Sequence, residues 1–155
     1  PPPPPPPPPT FFFLAEDGIR HLVRSRGLGD VHKRQAYTAA IDDRVRVAIP
    51  GCSFTSVVSQ EEFIFHCDCC MVPGLRDWGD WSDLGGLIVP RSLLLVHGVK
   101  DGLHSRRAVE ATAAQVADIF AGAGVPGHFD LRWGPEGHRF YPELMWSFIE
   151  DAIKP

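Results

Sequence analysis

The chain has 155 residues, a net charge of −4, 44% hydrophobic and 22% charged side chains. That is enough for one domain with a real core and the composition of an ordinary globular protein. The acidic balance offers no overall basic field to nucleic acid or to an anionic membrane, and no apolar run approaches the roughly 20 residues that span a bilayer. Four cysteines (Cys52, Cys67, Cys69 and Cys70) are too few and too clustered for a disulfide framework, and they leave the localisation open.

Nine prolines open the chain, followed by Thr10 and Phe11-Phe12-Phe13. Pure proline forms a polyproline II rod, a spacer or an SH3-type ligand. The block from Leu14 to Gln35 has no clean period of 3.6 or 2, and Arg20, Arg24, Arg26, Lys33 and Arg34 make it basic. Taken at face value it is a basic arm for nucleic acid. Ala15 to Gln35, however, closely resembles the conceptual translation of adapter oligonucleotides from transposase-based sequencing libraries. His21 and His32 depart from the usual read-through, each by one base change. Residues 1–35 are therefore set aside as a low-complexity, adapter-like segment, disordered and outside the domain, and the domain is taken as residues 36–155.

Ala36 to Asp43 is expected to be the tail of a helix, rich in alanine and closed by Asp42-Asp43. Arg44 to Gly51 follows as a β-branched strand ending at Pro50-Gly51. Ser59 to Phe65 has the capping-box pattern of a short helix, with Ser59 and Glu62. After the cysteine-rich turn, Ser82 to Ile88 is expected to be a short helix capped by Ser82. Ser92 to Val96, between Pro90 and Gly98, has the length of a strand buried on both faces of a parallel sheet. Ser105 to Ala123 is the longest helix, with Val109, Ala113, Val116 and Phe120 as its apolar stripe. In His128 to Trp133, Phe129 and Leu131 alternate with charged residues, which suits a strand near the sheet edge. Pro142 to Ile153 closes the chain as a helix that buries Leu144, Met145, Phe148, Ile149 and Ala152. Strands alternating with helices through short loops predict an α/β fold with a parallel sheet.

Two loops carry the chemistry. Asp101 lies just past the carboxyl end of the Ser92–Val96 strand, where open α/β sheets keep their ligands and catalysts. His138 lies in Gly134-Pro-Glu-Gly-His-Arg-Phe140, just past the next strand. In a serine–histidine–acid triad the acid holds the imidazole tautomer and stabilises the imidazolium, so acid and histidine need facing loops at one end of a sheet. Asp101 and His138 meet that requirement, and glycines at 98, 102, 134 and 137 are expected to let the backbone turn sharply there. Alone, Asp101 would be an ordinary turn or capping aspartate and His138 a surface histidine.

With these residues in view, Ala36 to Lys154 resembles the C-terminal half of an α/β-hydrolase of the acetyl-xylan-esterase-like and dienelactone-hydrolase-like branch. The matching pieces are Ala40-Ile-Asp-Asp-Arg-Val45, His66-Cys-Asp-Cys69, Val72-Pro-Gly-Leu75, Asp83 to Leu94, Gly98-Val-Lys-Asp101 and Gly134 to Phe140. The resemblance implies a serine carboxylic-ester hydrolase with Asp101 as triad acid and His138 as general base. It also implies a small ester or acylated carbohydrate as the parent enzyme's substrate, with no cofactor, no metal, no nucleic acid and no membrane. It places the nucleophile in a Gly-x-Ser-x-Gly elbow just before Ala36, where the adapter-like block stands, so the chain is expected to be an inactive fragment. Ser53, in Gly51-Cys-Ser-Phe-Thr55, keeps the order Ser, Asp, His, but β-branched Thr55 replaces the second glycine and the segment lies one strand late.

Other residues have plainer readings. His66, Cys67, Cys69 and Cys70 lack the distant second ligand pair of a zinc site. His97 is expected to be a satisfied core histidine, His104 a rim residue, and Trp78, Trp81 and Phe140 packing residues. A prolyl-oligopeptidase-like peptidase fragment shares the late strand–Asp, strand–His layout. A non-catalytic binding protein using the basic arm is the alternative outside enzymes. Sequencing across the Gln35–Ala36 junction in the source nucleic acid is expected to reveal a strand and a Gly-x-Ser-x-Gly elbow upstream of Ala36. An uninterrupted junction would bring the binding-protein reading forward.

Overall fold

The computed structural model describes residues 11–14, 31–58, 72 and 74–154. Its elements in chain order are β1 (Phe11–Leu14), α1 (Val31–Ile41), β2 (Val45–Ile49), α2 (Trp81–Gly86), β3 (Ser92–Gly98), α3 (Arg106–Gly122), β4 (Phe129–Gly134) and α4 (Trp146–Ile153). The strands form one sheet in the order β1-β2-β3-β4, and every neighbouring pair is parallel. The helix expected over Ser59–Phe65 and most of the cysteine-rich turn lie outside the described residues. So does most of the segment expected to be disordered; within it, Phe11–Leu14 forms an edge strand and α1 begins at Val31, before the expected domain start.

The sheet is covered on both faces, as a parallel sheet requires. One face packs Leu93, Leu95, Val45 and Ala48 against Ala36 and Ala39 of α1, Trp81 and Leu84 of α2, and Ala113, Val116 and Phe120 of α3. The other packs Val47, Ile49, Leu94 and Val96 against Tyr141, Met145, and Phe148 and Ile149 of α4. Successive side chains of β3 thus enter opposite cores, so a continuous apolar run, not an alternating one, was needed. All seven residues of β3 are buried, whereas β4 at the sheet edge is half-buried up to Gly134.

Helix ends follow local chemistry. Ser105 caps α3 through a hydrogen bond from the Ala108 N–H at 3.2 Å. The cap of α2 is Asp80, not Ser82. The Asp80 side chain accepts from the Trp81 and Asp83 N–H groups while Asp83 Oδ2 accepts from Asp80 N–H at 2.7 Å, a reciprocal capping box between Asp80 and Asp83, and Ser82 lies buried inside the helix. A carboxylate outcompetes a hydroxyl at a cap because its hydrogen bonds are charge-assisted. Before α4, Pro142–Leu144 forms a short 3-10 turn, with proline in the first turn as expected.

The sheet ladder continues past the strand ends and positions the functional loops. Val99 N–H donates to Gly134 O and Lys100 N–H to Glu136 O, both at 2.9 Å, so the loops after β3 and β4 are laced together by backbone. Glycines 98, 102, 134 and 137 do not serve here through left-handed conformations; among the described residues only Gly74, Gly124 and Cys52 have positive φ. Gly98 and Gly134 are required by close approach instead. A Cβ at Gly98 would collide with the Gly137 carbonyl, and one at Gly134 with the Tyr141 ring. Gly102 faces open space. Gly134→Ala is expected to lower stability by about 1–3 kcal/mol through overpacking against Tyr141, while Gly102→Ala is expected to be within about 0.5 kcal/mol of the parent. Denaturant titration of both variants checks the contrast.

Candidate active site

Asp101 and His138 are brought together. His138 Nδ1 lies 3.0 Å from Asp101 Oδ2, and the other carboxylate oxygen accepts the Leu103 N–H at 2.8 Å. The Asp101 side chain is 1% exposed and that of His138 26%, so the carboxylate is hidden while the ring reaches solvent. Burial alone would raise the Asp101 pKa. The hydrogen bonds from His138 and Leu103 and the nearby histidines outweigh it and hold the carboxyl below its ordinary value. The histidine loop is pinned from below, where Tyr141 donates its hydroxyl proton to Gly137 O at 2.6 Å.

Behind this pair lies a buried group that the sequence did not bring forward. Cys52 sits just past β2 with φ 48°, and its thiol donates to Arg139 O at 3.4 Å. Burial pushes the thiol up to about 11, so it stays a neutral thiol. His97 in β3 is fully buried, and burial, followed by the charge of His104, pulls its pKa down to about 3. Neither of its ring nitrogens has a hydrogen-bond partner, so it is a core histidine but not a satisfied one. His104 is buried rather than at the rim, with its ring centroid 5.8 Å from His97 and 6.0 Å from His138. The signal for this group was present in the sequence as His97 inside an apolar run and His104 three residues after Asp101. Only proximity to Asp101, however, links the two.

The remaining candidates divide. Ser53 is buried with no hydrogen-bond partner for its hydroxyl, so it makes no hydrogen bond to His138. Trp81 is fully buried and packs edge-on against Phe54 at 5.1 Å, whereas Trp78 is 91% exposed. Phe140 packs against the core cluster under α4. His66, Cys67, Cys69 and Cys70 lie outside the described residues.

No family model matches the chain. Over 105 residues it is 28% identical to YtaP of Bacillus subtilis, an inferred hydrolase, a match that covers 66% of this chain and 35% of that protein. Among solved structures it is similar to a carbohydrate esterase family 15 glucuronoyl esterase from Caldicellulosiruptor kristjansonii. There the TM-score is 0.62 at 16% identity, over 79% of this chain and 41% of that one. A second is the glucuronoyl esterase catalytic domain from Hypocrea jecorina, with TM-score 0.63, 12% identity and coverage of 79% and 41%. The fold is the C-terminal half of an α/β-hydrolase. The chain spans about a third of the curated relative and about two fifths of these solved structures.

In this arrangement the loops after β3 and β4 carry Asp101 and His138, and the strand beside β2 is β1. Phe11–Leu14 pairs with β2, and the residues that follow it in sequence, Ala15-Glu16-Asp17-Gly18, contain no serine. Among the described groups, His97 sets a clear acid sensitivity. Its folded pKa is about 3, against about 6.5 for an unfolded histidine, so the unfolded chain binds the proton first. Its neutral form therefore favours the fold fully above about pH 6.5, and stability falls as pH drops below that value towards 3, by up to about 1.4 kcal/mol per pH unit. Between pH 7 and 5 a loss of about 2 kcal/mol is expected in denaturant titrations. His97→Leu is expected to flatten that dependence. Asp101 does not contribute in this window, because its stabilisation is lost only below the ordinary carboxyl range.

Proposed function

We propose that residues 36–155 carry the acid and the general base of a serine carboxylic-ester hydrolase. The observation that carries this reading is the 3.0 Å contact between His138 Nδ1 and a buried Asp101 at the carboxyl ends of two adjacent parallel strands. With Nδ1–H donating to Asp101, Nε2 is left as the proton acceptor. Asp101 fixes that tautomer and stabilises the imidazolium once the proton arrives. In the parent enzyme a serine hydroxyl would lose its proton to Nε2 and attack the ester carbonyl. His138 would then protonate the departing alcohol, and water would hydrolyse the acyl-serine by the same route in reverse roles.

The substrate class is a small ester or an acylated carbohydrate, with the acetyl-xylan-esterase-like branch favoured. The neighbours' names support this at the level of ester hydrolysis: glucuronoyl esterases, and a methylesterase with TM-score 0.57 at 21% identity. No cofactor enters this chemistry. The 155-residue chain itself is inactive in this reading, because it has no Gly-x-Ser-x-Gly sequence and Ser53 does not engage His138.

The test has two arms. The chain as given is expected to hydrolyse 4-nitrophenyl acetate no faster than a matched protein blank, and turnover that survives Ser53→Ala but is lost in His138→Ala would overturn the inactivity. A parent recovered by extending the source sequence upstream is expected to hydrolyse acetyl esters and to lose about three or more orders of magnitude in kcat on His138→Ala. Full activity of that variant would sink the assignment of the base.

A further inference from the structure

The Asp101–His138 pair needs no third imidazole, yet His104 lies within reach of the same carboxylate. Asp101, His104 and His138 each offer one ligand atom, and the three atoms all lie within 4.8 Å of one another. His104 is 3% exposed, with its ring centroid 6.0 Å from that of His138. The Ser105–Gly122 segment that follows is a rigid, capped helix, and the loops on which Asp101 and His138 sit are joined backbone to backbone. The three side chains are therefore held together by structure that does not depend on a ligand.

We propose that Asp101, His104 and His138 form a binding site for a divalent cation of the zinc class. Two imidazoles and a carboxylate are the donor set of zinc sites that keep a position open, whereas calcium and magnesium seek all-oxygen shells. Zinc bonds of about 2.1 Å in tetrahedral arrangement put ligand atoms about 3.4 Å apart, so separations that are all within 4.8 Å need close by no more than about 1.4 Å, within the reach of side-chain torsions. Access comes through His138, whose side chain is 26% exposed. A second such group, Cys52, His97 and Asp101, shares the same carboxylate, but all of its members are buried and it opens on no surface. One cation is accordingly expected, at the outer group.

The bound cation would replace the Asp101–His138 hydrogen bond with a bond to each residue. Cation binding and service of His138 as a base are then mutually exclusive. The inference does not rest on the ester-hydrolase reading, because a chain with no nucleophile would bind the cation equally well.

The test uses the full chain with Cys67, Cys69 and Cys70 replaced by serine, which removes the clustered thiols as competing ligands. It is titrated with Co2+, followed by visible d–d absorption, and then with Zn2+ to displace it. One equivalent is expected, bound at least about tenfold more weakly in His104→Gln and in His138→Gln. No binding, or binding unchanged in both variants, would overturn the site. Paramagnetic shifts of assigned histidine ring resonances, read on the protein with all seven histidines intact, guard against variants that fail to fold. Shifts at His104 and His138 support the site, and shifts confined to other histidines refute it. Ester hydrolysis is not read in any arm, so failure here and failure of the hydrolase reading remain distinct.

Discussion

Strand β3 is the constraint on which the rest depends. It is covered by helices on both faces and paired along both edges, and no residue from Ser92 to Gly98 reaches solvent appreciably. Such burial is worth about 1.5–3 kcal/mol for each large apolar side chain, and it also sets direction. A parallel strand delivers its carboxyl end to the same side of the sheet as its neighbours, so the loops after β3 and β4 must emerge together. The Gly98–Gly134 pairing is the last rung of that ladder, and backbone bonds to Gly134 and Glu136 carry it two residues further, to Lys100. Asp101 and His138 meet because the sheet ends where it does.

Precision at the site comes from the absence of side chains beside it. Gly98 lets the histidine loop settle on the acid loop, and Gly134 lets the Tyr141 ring fill the space beneath. Tyr141 belongs to the apolar cluster under α4 and at the same time holds Gly137 through its hydroxyl. The second core thus reaches the site through a single ring, and repacking α4 would shift His138 as well.

The pocket behind the pair is built to keep one charge. Asp101 is held ionised by two hydrogen bonds, while burial keeps the Cys52 thiol protonated and the His97 ring neutral. In a region of low effective dielectric, a second charge without a partner would be costly. The carboxylate therefore acts on whatever donor faces it without competition from its neighbours.

The sequence by itself determined the class of fold, the alternation of strands and helices from β2 through α4, and the two loops that carry Asp101 and His138. Apolar periodicity, proline and glycine boundaries and strand–helix alternation are local properties, and hydrophobic burial turns each of them into structure. The cap of α2, the reason for Gly98 and Gly134, the unpartnered ring of His97 and the burial of His104 were not legible in it. Asp80 displaces Ser82 through the geometry of one turn, the glycines answer to atoms about 40 residues or fewer away in sequence but in contact in space, and His104 looks like any loop histidine until β3 and β4 pair. Only the tertiary structure could decide these points, because each depends on what the parallel ladder brings alongside.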